Sequence, residues 1–401
     1  MLSGKRITLG VTGSIAAFKA ADLASKLTQS GAQVDVILSG AAEKFVTPLT
    51  FQSVTGRRAY TDNDLWGNET HILHVGLGHS ADLLVIAPCT ANTIAKLAHG
   101  QADNLLTVTA LAMQSPLLIA PAMDGGMYDH PATQANIETL KKRGAAFIGP
   151  AQGHLASGLS GVGRMLETPE IIGHIRLILG HHGLLAAKRI VVTAGGTQEP
   201  LDPVRVLTNR SSGKQGYALA QAALDMGAQV TLITTPTALV PPIGARLVNV
   251  ETAGQMLEAV LMESAESDAL IMASAVADFR PKSVSKDKIK KADGIPQVEL
   301  EATEDILKTV AGQGSGVKRP RVVVGFAAES RDLLENAARK LGSKGVDIIA
   351  VNDISVNDAG FAVETNRVTL LFADGRKEAF PLMSKTEVAE VILGWVSKLL
   401  E

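Results

Sequence analysis

The chain has a single cysteine, Cys89, in 401 residues. One thiol excludes an internal disulfide framework and a cysteine-rich metal site. Neither sign of charge dominates: the net charge is −2, which argues against recognising nucleic acid or an anionic membrane through bulk charge. No apolar run reaches the ~18–20 residues of a membrane span. The opening MLSGKRITLGVTG enters a strand pattern directly, without a signal-peptide core. Aromatic residues are scarce at 3%, whereas glycine is abundant at 38 residues. These features predict a cytoplasmic α/β protein with close helix–sheet packing, long enough for two or three domains.

The stretch around which the rest is organised is KRIVVTAGGTQEPLDPVRVLTNRSSGKQG, residues 188–216. A β-branched run meets Gly195-Gly196, a polar loop follows, and Asn209-Arg210-Ser211-Ser212-Gly213-Lys214 opens a helix. Strand, glycine turn and helix N-terminus form an anion-handling geometry. Residues 1–187, with a linker from about 174, read as one domain and residues 188–401 as a second. Each alternates buried-strand runs with helical periodicity, which predicts two doubly wound, Rossmann-like α/β domains. Lys5-Arg6-Ile7 is echoed by Lys188-Arg189-Ile190, and Gly31-Ala32-Gln33-Val34 by Gly227-Ala228-Gln229-Val230. The offsets, 183 and 196, leave 13 extra residues in the second domain, and Thr197–Ser212 is their natural home. Residues 151–168 hold four glycines and read as an irregular functional segment. Residues 280–301 read as a lysine-rich flap, and Arg367–Phe372 with Lys377–Pro381 as a terminal hairpin turning at Asp374-Gly375.

Several positions can carry chemistry. Gly13-Ser14-Ile15-Ala16 follows the first strand at a helix start, where a doubly wound sheet binds phosphate. It lacks the dinucleotide glycine fingerprint, so a mononucleotide such as FMN fits better than NAD. Cys89, Thr90 and Asn92 stand at the end of another strand. Cys89 reads as a packed residue before a nucleophile, since no basic side chain is close in sequence. His71, His74 and His79 cluster without a completing metal-ligand set; one histidine acting as base and three surface histidines are both open readings. Asp278 and Lys288 lie where a flap can close over a triphosphate.

The chain resembles bifunctional coenzyme A biosynthesis proteins, in which a phosphopantothenoylcysteine decarboxylase precedes a phosphopantothenate–cysteine ligase. The resemblance is carried by Thr193–Thr197, Glu199–Arg205 and Thr208–Lys214. Ala275–Phe279, Lys288–Lys291, Gly325–Glu329 and Val351–Asp353 support it, with Gly13–Ala17, Ala87–Thr93 and Pro121–Met123 in the first half. It implies a flavodoxin-like, flavin-containing cysteine decarboxylase fold followed by a ligase domain. FMN would lie against Gly13, Ser14, Ile15, Ser39, Cys89, Thr90, Asn92 and Met123. It would oxidise the substrate thiol so that carbon dioxide can leave, before an enethiol is reduced to 4′-phosphopantetheine. Counting eight residues back from Asp82 selects His74 as the catalytic histidine. In the ligase, CTP with Mg²⁺ on its phosphates would convert 4′-phosphopantothenate to an acyl-cytidylate that the L-cysteine amine attacks. Asn209 and Arg205 would handle the pantothenate end, and Ser211, Ser212 and Gly213 the substrate phosphate. Met272, Ala273, Ser274, Asp278, Phe326, Lys340 and Lys344 would bind CTP. Thr303, Glu304, Asp305 and Ile306 would lie against its base, and Lys288 would meet the triphosphate. Asp278 is the candidate metal ligand. Homo-oligomers built from trimeric flavin domains and dimeric ligase domains are implied, without nucleic-acid or membrane partners.

Two positions depart from the family's pattern. Its usual Pro-Ala-Met-Asn reads Pro121-Ala122-Met123-Asp124, and its usual Ala-Cys-Gly reads Ala156-Ser157-Gly158. An ionised Asp124 would repel the substrate carboxylate, whereas a carboxyl protonated by burial would still donate to it. Ser157 is far less acidic than the thiol expected to protonate the enethiol. An active ligase joined to an impaired, oxidative or regulatory flavin domain is therefore the alternative expectation.

Overall fold

The computed structural model describes residues 2–66, 72–291, 295–311, 318–329, 339, 341–353 and 363–401. His71 and Lys340 lie outside the described residues. The chain divides into two compact units, Met1–Leu179 and Gly180–Glu401.

In the first unit β1 (Arg6–Val11), α1 (Ala17–Gln29) and β2 (Gln33–Leu38) form the opening crossover. They are followed by α2 (Pro48–Thr55), β3 (Ala59–Tyr60), α3 (Leu73–Ser80) and β4 (Leu83–Cys89). Next come α4 (Ala91–His99), α5 (Leu105–Ala112), β5 (Leu117–Pro121), α6 (Gly125–Asp129), α7 (Pro131–Lys142) and β6 (Ala146–Phe147). The sheet is parallel throughout, in the order β3-β2-β1-β4-β5-β6. β4 is buried at every residue because helices cover both its faces. The helical spacing of Ala17, Ala20, Leu23, Ala24 and Leu27 turns one face of α1 into the core.

The glycine-rich 151–168 segment is a correction. It is an antiparallel hairpin, β7 (Ala151–His154) with β8 (Ser160–Arg164), and its glycines let it press on the sheet end. A Cβ on Gly163 would fall 2.2 Å from the Met123 carbonyl oxygen. Helix α8 (Thr168–Gly180) continues past residue 174, where a linker is expected from the sequence.

The second unit repeats the plan. Its elements open with β9 (Arg189–Ala194), β10 (Gln198–Pro200), β11 (Val206–Thr208), α9 (Lys214–Asp225) and β12 (Gln229–Thr234). They continue through β13 (Arg246–Asn249), α10 (Ala253–Ser264), β14 (Ala269–Met272), β15 (Phe279–Pro281), β16 (Leu300–Ala302) and α11 (Ile306–Val310). They end with β17 (Val322–Glu329), β18 (Ile348–Asp353), β19 (Thr365–Asn366), β20 (Val368–Phe372), β21 (Lys377–Ala379), β22 (Met383–Ser384) and α12 (Lys385–Leu400). The main sheet runs β13-β12-β9-β14-β17-β18-β20-β21, with its last two strands antiparallel.

The lexical echo between the units has a structural counterpart. Arg6 pairs with Gln33 and Arg189 with Gln229. The Arg6 N–H donates to Asp82 Oδ2 at 2.8 Å, and the Arg189 N–H to Asp268 Oδ2 at 2.8 Å. Each aspartate N–H returns a bond to the same arginine's carbonyl. The same latch thus fixes the first and fourth parallel strands in both units. The 13 extra residues are not a plain loop: β10 and β11 form a hairpin there. Glu199 anchors it, accepting from the Ala253 N–H at 2.8 Å from a buried position.

Candidate active sites

Both parallel orders reverse direction between the first and fourth strands, at β1/β4 and at β9/β14. Ligands of open α/β sheets bind at such switch points, outside the carboxyl ends of the strands.

In the first unit Thr12 Oγ1 joins the two strand ends, donating to the Pro88 carbonyl at 2.8 Å and accepting from the Thr90 N–H at 3.0 Å. Helix α1 starts without a side-chain cap, leaving its N-terminus to the Gly13–Ala16 turn. A Cβ on Gly13 would stand 2.5 Å from Ala41 Cβ, so glycine lets this turn close on the loop after β2 that carries Ser39. Thr90 caps α4 by accepting from the Thr93 N–H at 3.3 Å, and Asn92 lies in the first turn of that helix. The donor set of hydroxyls and main-chain N–H groups suits a phosphate and a polyol chain. Cys89 is fully buried, and burial pushes its thiol far above its ordinary range. The thiol packs in the hydrophobic core, as a small packed residue rather than a nucleophile.

A pocket of about 360 Å³ gathers Ser14, Ile15, Met123, Asp124, His154, Ser157 and Arg164. Asp124 begins α6, accepting from the Gly126 N–H at 3.0 Å, and Ser157 Oγ donates to Asp124 Oδ2 at 2.7 Å. The Ser157 hydroxyl, followed by the Gly126 N–H, holds the Asp124 carboxyl below its usual range. Both donors favour the ionised form of Asp124 over a protonated carboxyl. His74 does not line this pocket. It lies half-buried in the first turn of α3, whose N-terminus faces the carboxyl edge because α3 precedes β4.

In the second unit a cavity of about 640 Å³ lies across the strand ends. It brings together Asn209, Ser211, Ser212, Gly213, Met272, Ala273, Ser274, Asp278, Thr303, Glu304, Asp305, Ile306, Phe326 and Lys344. Asn209 Nδ2 donates to the carbonyls of Ala275 at 3.4 Å and Val276 at 3.2 Å. Thr193 Oγ1 donates to Ser274 Oγ at 2.8 Å. Lys344 Nζ lies 3.5 Å from Asp305 Oδ2, and Asp305 caps α11. Asp278 is exposed. Among the described residues no three His, Cys, Asp or Glu side chains cluster to hold a metal. One carboxylate completed by substrate phosphates is nevertheless a fitting Mg²⁺ site.

Two expected residues stand elsewhere. Arg205 does not line the cavity: its Nη2 donates to the Ile289 carbonyl at 3.0 Å, and its Nη1 lies 3.6 Å from Asp202 Oδ2. Lys288 is exposed on the strap between β15 and β16. Asp202 explains both placements. Burial works against its charge, but N–H donors from Val204, Ile289 and Arg205 outweigh it and hold the carboxyl low. The buried carboxylate thereby pins the strap at Ile289, with a 3.2 Å bond from its N–H. Sequence reasoning also missed Gln215, Asn352, Asn366 and Lys385, which line the cavity. Asn352 ends a buried-strand run, which is a usable signal, but Lys385 lies too far along the chain to associate with it.

Residues 1–179 match the family described as Flavoprotein, and residues 185–400 match the DNA/pantothenate metabolism flavoprotein C-terminal domain. The chain is 46% identical over 405 residues to a protein of Bacillus subtilis named coenzyme A biosynthesis bifunctional protein CoaBC, covering 100% of this chain and 98% of that one. It is 43% identical over 401 residues to the Mycobacterium tuberculosis protein of the same name, covering 97% and 95%. A solved C-terminal domain of a CoaBC protein is 41% identical, covers 54% of this chain and 98% of its own, and superposes with a TM-score of 0.46. This chain therefore belongs to the family of bifunctional coenzyme A biosynthesis proteins, enzymes that pair a flavoprotein decarboxylase unit with a ligase unit.

Proposed function

We propose that the second unit ligates L-cysteine to 4′-phosphopantothenate through an acyl-cytidylate formed from CTP. The first unit then decarboxylates the product, 4′-phospho-N-pantothenoylcysteine, to 4′-phosphopantetheine with FMN. The observation that carries the ligase reading is the 640 Å³ cavity, which joins Asn209 and the Ser211–Gly213 turn to Asp278, Phe326 and the Thr303–Ile306 turn. In this reading Asn209 and Arg205 orient the carboxylate being activated, and Ser211, Ser212 and Gly213 meet anionic oxygen. The Thr303–Ile306 turn reads the base, and Asp278 holds Mg²⁺ against the phosphates. Lys340, with Lys344, is assigned to the nucleotide, and Lys288 joins the phosphates when the strap closes. Pyrophosphate release that requires CTP, phosphopantothenate and cysteine together tests this, and its absence would overturn it.

FMN, when bound, supplies a reversible two-electron oxidant for the substrate thiol. The chain's own contribution is to seat the phosphate at Gly13–Ile15, the polyol near Ser39, Thr90 and Asn92, and the ring beside Met123. Asp124 and Ser157 face the reacting end. His74 is the base of this reading, and it serves the pocket when a second copy of the chain presents α3. Exposed apolar side chains on the first unit, among them Phe18, Phe45 and Leu49, give a homo-oligomer surface to cover. The assembly is proposed as trimeric through flavin units and dimeric through ligase units, and light scattering measures it. The proposed location is the cytoplasm; no helix among the described residues is long and apolar enough to cross a membrane.

The Ser157–Asp124 bond favours a second reading, in which the flavin unit decarboxylates but completes the final reduction poorly. A hydroxyl already donating to a carboxylate is a weak acid. Carbon dioxide release accompanied by accumulating oxidised enethiol supports this reading, whereas stoichiometric 4′-phosphopantetheine overturns it.

A further inference from the structure

The flavin pocket lacks the thiol that the family's pattern places at position 157, so the proton for its final reduction must come from another group. Among the described residues lining the pocket, the side chains with an exchangeable proton or a charge are Ser14, Lys19, Asp124, His154, Ser157 and Arg164. Lys19 Nζ donates to Glu167 Oε1 at 2.7 Å and Arg164 Nη2 to the same oxygen at 2.6 Å. Neither a guanidinium nor a paired ammonium releases a proton readily near neutral pH. Asp124 is held in its ionised form by the Ser157 hydroxyl and the Gly126 N–H, and so has no proton to give. The Ser157 proton is already directed at Asp124 Oδ2, 2.7 Å away. Ser14 belongs to the phosphate turn, where its Oγ accepts from the Ala16 N–H at 3.3 Å. His154 remains, and an imidazole is the side chain suited both to hold and to pass a proton near neutral pH.

The fold keeps this imidazole at the pocket. His154 is the last residue of β7 and pairs with Ser160 across the hairpin whose turn carries Ser157. The Leu155 N–H closes that turn on the Leu159 carbonyl at 2.8 Å, and Leu155 itself is buried at 7% exposure. The Met123 N–H donates to the Gly163 carbonyl at 3.1 Å, which ties β8 to the residue before Asp124. We propose that His154 is the general acid of the flavin unit and supplies the proton that the family's pattern assigns to a thiol. The inference rests on the flavin decarboxylase reading above and names the donor on which its last step runs, whether that step is fast or slow. After carbon dioxide leaves, the imidazolium N–H breaks and a C–H bond forms at the carbon that held the carboxylate. The hydride removed when the thiol was oxidised returns to the sulfur-bearing carbon. Water re-protonates the imidazole, which balances the one proton consumed when a carboxylate leaves as carbon dioxide. Asp124 and Ser157 then hold the hairpin closed beside the donor.

The experiment uses the full chain with FMN bound and follows carbon dioxide, oxidised enethiol and 4′-phosphopantetheine separately. His154→Ala is expected to go on releasing carbon dioxide while 4′-phosphopantetheine forms at least about tenfold more slowly and enethiol accumulates. Added imidazole is expected to restore the reduced product severalfold, a gain that no folding defect produces. A readout without turnover is diethylpyrocarbonate labelling of His154 in the unmodified chain, mapped by mass. Bound 4′-phosphopantetheine is expected to protect this histidine severalfold. Reduced product formed by His154→Ala at the unmodified rate, parallel loss of carbon dioxide and product, no rescue by imidazole, or an unprotected His154 would each overturn the proposal. So would an unmodified chain that releases carbon dioxide but forms no reduced product. An unmodified chain that releases no carbon dioxide would overturn the flavin reading itself, which is distinguishable from a missing donor.

Discussion

Ser157 Oγ donates a 2.7 Å hydrogen bond to Asp124 Oδ2. The two positions at which this chain departs from its family's pattern are therefore in direct contact. The pair changes the reacting end of the flavin pocket from amide and thiol to carboxylate and hydroxyl.

That bond has a measurable titration. The Ser157 hydroxyl and the Gly126 N–H depress the Asp124 carboxyl. A depressed folded-state value contributes stability above the unfolded value of about 3.9. The contribution is lost as pH falls through the lowered value. Ser157→Ala is expected to move the Asp124 midpoint up in a carboxyl NMR titration; an unmoved midpoint would remove the bond from solution. Asp124→Asn combined with Ser157→Cys is expected to speed formation of reduced product on the order of 10²-fold.

Asn209→Asp tests the ligase cavity. The amide donates to the carbonyls of Ala275 and Val276, and a carboxylate there would face two acceptors instead. Turnover is expected to fall on the order of 10²-fold with CTP affinity retained. Asn209→Ala, which brings no repulsion, separates lost contact from displaced loop.

Asp202→Asn tests the strap. The Ile289 N–H and the Arg205 guanidinium both meet this carboxylate. Losing its charge is expected to free the strap, so trypsin cuts faster at Lys286, Lys288 and Lys290. Unchanged cleavage would show that the hairpin strands alone hold it.

Gly216→Ala sets propensity against packing. Inside an exposed helix the change gains about 1 kcal/mol. Here the new Cβ would stand 2.5 Å from Ala194 Cβ and 2.7 Å from the Thr193 carbonyl. Overpacking of this kind costs about 1–3 kcal/mol, so the urea midpoint is expected to fall. A raised midpoint would mean that α9 can move off β9.

Much of this was legible in the chain because it depends on local pattern. Alternating buried runs and helical spacing fix the elements, and Lys5-Arg6 with Lys188-Arg189 foretells a shared plan. The 13-residue excess correctly locates the insertion at Thr197–Ser212. Its hairpin was not legible, nor was that of residues 151–168, because pairing there is short and glycine-rich, with little alternation to read.

By itself the sequence determined two doubly wound units and the loops that face their ligands, since strand order and switch points follow from short right-handed crossovers. Tertiary structure alone decided what meets across those loops. Contacts such as Ser157 with Asp124 or Arg205 with Ile289 join residues 33 and 84 positions apart. The physical reason is that side-chain hydrogen bonds and burial act over a few ångströms of space, whatever the distance along the chain. Lys385 therefore lines the same cavity as Lys214, which no spacing in the sequence announces.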